Sequence, residues 1–386
     1  MTRTADRMQH IQPFHVMALL ARARELEAAG RSIIHMEIGE PDFITPQPVI
    51  DAGIRALEQG QTHYTPATGL PALRERIAAF YRQRYGVELD PRRVIVTPGA
   101  SAALQLVMAA LVNPGDRVLM ADPGYPCNRN FVYLVNGEPV GIPVDAASGY
   151  QPTPRQVDEL WSENVAALLV ASPSNPTGTG LHEEDLRAFH ATATRHGGSV
   201  MVDEIYHGLT YGDAISTALA VSDDIFVINS FSKYFGMTGW RLGWLVAPAD
   251  VVPDIDKLAQ NLFLAAPTLA QHAALRAFED DNLAVLEERR AAFRERRDYL
   301  LPALRELGFG IPVTPEGAFY LYADCSRFTA DSYAFSLDLL EEAGVAITPG
   351  LDFGSNQPER HVRFAYTTSM ENLSEGVRRL AAYLCA

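Results

Sequence analysis

The chain has 386 residues, 47% of them hydrophobic and 20% charged, and a formal net charge of −15. That length suits two lobes rather than a single core, and the acidic balance argues against a nucleic-acid partner or an anionic membrane surface, whose phosphates would repel it. No run approaches the roughly 18 unbroken apolar residues of a membrane span, and three widely spaced cysteines, Cys127, Cys325 and Cys385, with no CxxC pairing, point to free thiols in a reducing cytoplasm.

From the N-terminus, the apolar stretch Phe14 to Ala23 is broken by His15 and Arg22 and runs into Arg24, Glu25 and Glu27. This is the pattern of an amphipathic helix rather than an export signal. Further on, short apolar runs alternate with helical patterns. Strands are predicted at Val94–Thr97, Arg117–Met120, Ala167–Ala171, Val200–Val202, Phe226–Asn229 and Leu242–Val246, with helices such as Ser101–Leu111 and Glu183–Thr194 between them. Such alternation predicts an α/β class, a three-layer large domain around a mostly parallel, mixed sheet. After Asp280 the texture changes. A charged helix over about Leu283 to Leu307 leads into Glu316–Ala323, a helix near Tyr333–Ala343 and a strand at Val362–Tyr366, a smaller α+β domain that the N-terminal segment joins. The expected division is 49–279 for the large domain and 1–48 with 280–386 for the small one. No repeat, low-complexity tract or Gly/Ser linker interrupts it.

The unusual residues follow strands. Gly99-Ala100-Ser101, Tyr125, Asn175, Asp203 and Ser230-Phe231-Ser232-Lys233 each lie just beyond a predicted strand. Ligand sites of parallel α/β sheets gather at the carboxyl ends of strands, so these signals imply one shared pocket. The lysines sharpen the point, because the chain has only two, Lys233 and Lys257. Arginine stays protonated and delocalised and cannot replace lysine in amine chemistry. Lys257, in Asp254-Ile255-Asp256-Lys257, reads as a solvated helix charge. Lys233 sits in Ser230-Phe231-Ser232-Lys233-Tyr234-Phe235-Gly236-Met237-Thr238-Gly239-Trp240-Arg241, where Ser230, Ser232 and Arg241 are donors suited to a phosphate dianion. A lysine and a phosphate anchor so close together would hold the two ends of an aldehyde cofactor.

That segment closely resembles the cofactor-lysine motif of the class I aminotransferases, within the class I/II group of pyridoxal-phosphate fold type I. The likeness runs from Gly39-Glu40-Pro41-Asp42-Phe43 to His361-Val362-Arg363-Phe364. It implies pyridoxal 5′-phosphate held by Lys233, with Asp203 on the pyridine nitrogen and with Tyr206 and Asn175 on the ring's phenolic oxygen. It further implies a phosphate seat at Gly99, Ala100 and Ser101, completed by Ser230, Ser232 and Arg241, and Tyr125 stacked on the ring. Tyr64 would reach the phosphate of a neighbouring subunit, which makes the expected assembly a homodimer with shared active sites. Arg363, with Gly39 and Asn175, would hold the substrate α-carboxylate. Taken alone, Asp203 could be a helix cap, Asn-Pro-Thr-Gly a turn, Tyr125 a core aromatic and Arg363 half of a salt bridge; Glu204 reads as structural.

The activity so implied is a ping-pong exchange of an amino group between an L-amino acid and a 2-oxo acid, with Lys233, Asp203 and Tyr206 as catalytic residues. No histidine spacing suggests a metal, and no G-x-G-x-x-G or Walker loop suggests a nucleotide. Some aspartate-using relatives carry a lysine at the position of Ser101 or a partner-subunit arginine near the stretch aligned with Asn261–Ala266. This chain has Ser101 and the apolar run Leu262-Phe263-Leu264-Ala265-Ala266, which favours neutral, aliphatic or aromatic donors. Aspartate transamination and β-elimination by a carbon–sulfur lyase remain the alternative readings. The family motifs begin near residue 39, so an added DNA-binding module is not expected.

Overall fold

The computed structural model describes residues 3–212 and 215–385. The chain opens with α1 (His15–Ala28), the short strand β1 (Ile34–His35), α2 (Gln47–Glu58) and α3 (Pro71–Tyr85). Next come β2 (Val94–Thr97), α4 (Ala100–Leu111), β3 (Arg117–Asp122), α5 (Cys127–Leu134), β4 (Glu138–Pro143), α6 (Pro154–Leu160), β5 (Val165–Ala171), α7 (Glu183–Arg195), β6 (Ser199–Asp203), β7 (Phe226–Ser230) and β8 (Gly243–Val246). Then follow α8 (Val252–Leu262), α9 (Thr268–Leu275), the long α10 (Asp280–Leu307), β9 (Tyr320–Asp324), α11 (Ser332–Asp338), β10 (Val345–Ala346), β11 (Thr348–Pro349), β12 (His361–Ala365) and α12 (Met370–Leu384).

Seven strands form the large sheet in the order β2-β8-β7-β6-β5-β3-β4. Only β8 runs against its neighbours, so β2 and β7 point the same way as the rest. The carboxyl ends of β2, β3, β5, β6 and β7 therefore share one rim. The strands are apolar on both faces because helices cover both. Leu168 and Val170 of β5 belong to the cluster that holds Leu186 and Phe189 of α7, whereas Ala167 and Leu169 join Leu104 and Val107 of α4. Alternate side chains take opposite faces, so a strand covered twice reads as an unbroken apolar run. Each such side chain contributes about 1.5–3 kcal/mol on burial.

Several elements differ from the sequence prediction, among them β4, α11 and β12. β4, with Pro139 and Pro143, is not among the predicted strands; it is tolerated as a strand because it lies at the sheet's edge, where ladder donors are dispensable. The predicted helix near 333–343 closes as α11 followed by a wider π turn over Leu339–Ala343 that ends at left-handed Gly344. The strand predicted at Val362–Tyr366 begins and ends one residue earlier.

In the C-terminal part, β11, β12 and β9 form a three-stranded antiparallel sheet. Phe364 packs against Phe309, 5.2 Å between ring centroids, while Arg363, its neighbour on the strand, takes the opposite face. β1 pairs in parallel with β10 in a separate two-stranded sheet, Ile34 beside Val345, which ties the N-terminal segment to the C-terminal part. Among the described residues no helix is long and apolar enough to cross a membrane.

Candidate active site

The shared rim opens on a cavity of 310 Å³ lined by Ala100, Ser101, Tyr125, Asn175, Asp203, Tyr206, Ser230, Ser232, Lys233, Arg241 and Arg363, together with Gly39. These residues come from many separate segments; the large sheet brings most of them together, while Arg363 arrives on β12 and Gly39 on the segment after β1. Gly99 lies just behind the lining as the N-cap of α4. Tyr64 stands apart: it is 83% exposed and outside the cavity.

One end of the cavity fits a phosphate. Gly99 has φ +79°, and α4 begins there with no side-chain cap, so its first amides are open to a ligand. A Cβ at Gly99 would lie 2.6 Å from Arg241 Nη2, and one at Gly243 would lie 2.7 Å from the Ala100 amide nitrogen. Two glycines thus let the guanidinium and β8 close around the helix start. Arg241 itself is left-handed at φ +53°, a conformation that costs a non-glycine residue about 1–3 kcal/mol and here aims its side chain at the seat. Ser230 Oγ accepts from the Ser232 amide at 3.0 Å, which fixes the turn that carries Lys233.

The middle of the cavity holds the reactive groups. Lys233 Nζ donates to the Gly39 carbonyl at 2.7 Å. Burial chiefly lowers its pKa to about 8, helped by the positive charges of Arg363 and Arg241 and opposed by Glu40 and Asp203. Such an amine loses its proton far more readily than an exposed lysine. Asp203, 4% exposed, accepts from the Ile205 amide at 3.1 Å. Burial pushes its carboxyl up to about 7, and the Lys233 charge pulls it back toward the ionised form, so a cationic ring nitrogen is the partner that such a site favours. Glu204 bonds instead to Thr217 Oγ1 at 2.9 Å and the Ala218 amide at 2.7 Å, as expected of a structural residue. The Tyr206 hydroxyl lies 2.9 Å from that of Tyr320.

At the other end Arg363 is 6% exposed. Nη1 donates to Asn175 Oδ1 at 2.8 Å, and Nη2 to the Glu37 carbonyl at 2.6 Å and Thr348 Oγ1 at 3.2 Å. Among the described residues its Nε has no partner, and its other two nitrogens meet only neutral acceptors. A buried cation without a counter-charge is costly unless a ligand supplies one, and a carboxylate matches its planar donors. Gly39, expected with Arg363 at the substrate carboxylate, lines the cavity, and its carbonyl accepts from Lys233.

Several lining residues carried no sequence signal. Phe14, Val16, Met17 and Leu20 of the N-terminal segment face the cavity. They are held there by Asp352, whose carboxylate accepts from the His15 and Val16 amides at 2.8 and 2.9 Å. The Asp352 side chain thus caps α1 from 337 residues away, a role no local spacing reveals. Phe353 and Tyr320 flank the Arg363 guanidinium at 4.9 and 4.2 Å. Among the described residues no three His, Cys, Asp or Glu side chains gather as metal ligands do.

The family model for aminotransferase class I and II matches residues 31–380. The valine–pyruvate aminotransferase of Mycobacterium tuberculosis is 38% identical over 97% of both chains. The aspartate/prephenate aminotransferase of Thermus thermophilus is 36% identical over 98% of both. The crystal structure of an aminotransferase from Mycobacterium tuberculosis superposes over 100% of both chains with a TM-score of 0.95 at 38% identity.

Proposed function

Since the chain belongs to the class I and II aminotransferases and is a pyridoxal-phosphate-dependent transaminase, we propose that its amino donors are neutral L-amino acids with aliphatic or aromatic side chains. The observation that carries this reading is the lining opposite the catalytic rim: Phe14, Val16, Met17 and Leu20 make an apolar wall. The cavity's lysine and arginine side chains are Lys233, Arg241 and Arg363. One serves the cofactor link, one the phosphate and one the α-carboxylate, which among the described residues leaves no lining lysine or arginine for an acidic side chain. A lost charge-assisted contact costs about 1.5–3 kcal/mol, roughly 10- to 150-fold. The name of the Mycobacterium relative agrees with a neutral donor, whereas that of the Thermus relative gives aspartate and prephenate, which both carry a second carboxylate. Steady-state rates for valine, leucine, methionine and phenylalanine against aspartate, each with pyruvate and 2-oxoglutarate, test it. We expect kcat/KM at least about tenfold higher for the neutral group; a strong aspartate preference overturns the assignment.

The roles follow from the chemistry of each group. Pyridoxal phosphate, when bound, supplies an aldehyde that condenses with amines and a protonated ring that withdraws electrons from the substrate's Cα. The α4 amides with Ser101, Ser230, Ser232 and Arg241 would hold its phosphate, Asp203 would keep the ring nitrogen protonated, and Tyr125 would pack on the ring. Tyr206 and Asn175 would donate to the ring oxygen. Arg363 grips the substrate α-carboxylate and orients Cα, and the Lys233 amine takes the proton from Cα and returns it, as base and then acid. The lowered pKa of Lys233 suits both halves of that task.

The division into a cofactor-binding lobe, 49–279, and a closing lobe, 1–48 with 280–386, is part of the same proposal. It is supported by the large sheet lying wholly in the first and by the pairing of β1 with β10 in the second. A homodimer that shares its active sites is supported by the exposed side chains of Ile54, Leu57, Tyr64, Leu262 and Leu264, apolar surface that a partner would cover, and a cytoplasmic setting by the free thiols of Cys127, Cys325 and Cys385.

A further inference from the structure

We infer that Tyr320 is a positioning residue that ties the two ends of the reaction together: its hydroxyl feeds the hydrogen bond that Tyr206 gives the cofactor, and its ring carries the arginine that grips the substrate. The inference rests on the roles proposed above for Tyr206 and Arg363.

Tyr320 opens β9 and is 1% exposed. Among the described residues the only hydrogen-bond partner of its hydroxyl is Tyr206, at 2.9 Å. Each phenol has one hydrogen to give. If Tyr206 spends its hydrogen on the cofactor's ring oxygen, the hydrogen between the two phenols must come from Tyr320. A donor that is itself receiving a hydrogen bond is polarised and gives more strongly, by roughly 10–30% per bond. Burial raises both hydroxyls well clear of ionisation, so both keep the hydrogen that the relay needs.

The ring does separate work. Arg363 Cζ lies 4.2 Å from its centroid. Stacking fixes the guanidinium plane while leaving its in-plane N–H groups directed at ligands. The same hydroxyl also explains residue 39, since a Cβ there would stand 1.9 Å from Tyr320 Oη. Gly39 accepts from Lys233 at 2.7 Å, so the segment pressed against Tyr320 is also the one that holds the lysine. An ordinary core tyrosine has no reason to touch all of these groups, and phenylalanine would fill the same volume.

The test loads wild type, Tyr320→Phe, Tyr206→Phe and the double variant with pyridoxal phosphate and follows visible absorbance against pH. Every donor removed from the ring oxygen lets that oxygen hold a proton to higher pH, so the midpoint rises. We expect a rise of about one to two pH units in Y206F, about half a unit in Y320F, and no further rise in the double variant over Y206F. A second readout is the dissociation constant of 3-phenylpropionate, an unreactive monocarboxylate. Tyr320→Leu, which removes the ring, should weaken it about tenfold or more, whereas Y320F stays within about twofold. A moved midpoint in Y206F beside an unmoved one in Y320F overturns the relay alone, as do additive shifts in the double variant. Wild-type affinity in Y320L overturns the ring's part. An unmoved midpoint in Y206F removes the assignment of Tyr206 and the relay with it.

Discussion

Arg93, Arg296 and Arg363 are each 6% exposed, and they lie in different parts of the molecule. Arg93, just before β2, is paired with Asp223. Arg296, in the middle of α10, donates through both terminal nitrogens to the two oxygens of Asp42 at 2.8 and 2.9 Å. Arg363 on β12 meets only neutral acceptors and two aromatic faces, with Nε left over. The same side chain at the same depth therefore does opposite things. Where the chain supplies the carboxylate, the pair fixes one segment to another; where it supplies none, the charge is reserved for a ligand. The two lysines repeat the contrast, since Lys257 is 71% exposed beside Asp254 while Lys233 faces the cavity and a carbonyl.

Breaking the reserved groups should cost function, and breaking the closed ones should cost stability. The largest effect is expected from Lys233→Ala, which abolishes turnover and leaves the thermal melting transition in place; measurable transamination in that variant would remove the lysine from the mechanism. Next, Arg363→Ala should lower kcat/KM by about 10²- to 10⁴-fold, on the order of 3–5 kcal/mol of transition-state binding, with the melting point unchanged or raised because an unpaired buried charge is gone. Arg296→Ala sharpens the comparison from the other side. Removing one member of a mostly buried pair strands Asp42, which is partly solvated, and should cost about 1–3 kcal/mol of stability in denaturant titrations. If R363A loses stability and R296A loses substrate affinity, the two sites have been assigned the wrong way round.

The smallest effect concerns a closed cation that titrates. His35 Nδ1 lies 2.7 Å from buried Glu37, and Nε2 lies 3.1 Å from Glu27 of α1. The hydrogen bond to Glu37 is the main reason its pKa is raised to about 9, against the cost of burial. Because the folded state holds this proton more tightly than the unfolded chain, its contribution is fully present below about pH 6.5 and is lost as pH rises through about 9. His35→Gln should therefore reduce stability near pH 6 and converge on wild type above about pH 9.5. A gap that does not change with pH would contradict the pairing.

Much of the site was legible because its chemistry sits in contiguous words. Ser230 to Arg241 holds lysine and phosphate donors on one turn, and Asp203 and Tyr206 flank a buried structural glutamate. Each word follows a strand whose apolar run is easy to read, so the shared rim was predictable as well. The rest depends on tertiary meetings. Tyr320 lies 114 residues from Tyr206, and Asp352 caps a helix 337 residues away; locally one is a strand tyrosine and the other a loop acid. The wall of α1 carries an ordinary amphipathic pattern, and only the fold brings it to the cavity that Arg363 also lines.

The most direct test of the account is to fix the cofactor in place. Protein loaded with pyridoxal phosphate is reduced with borohydride, digested, and mapped by mass spectrometry. The account predicts a yellow complex before reduction and a single pyridoxyl label on Lys233. A label on Lys257, or no chromophore and no label, would contradict it.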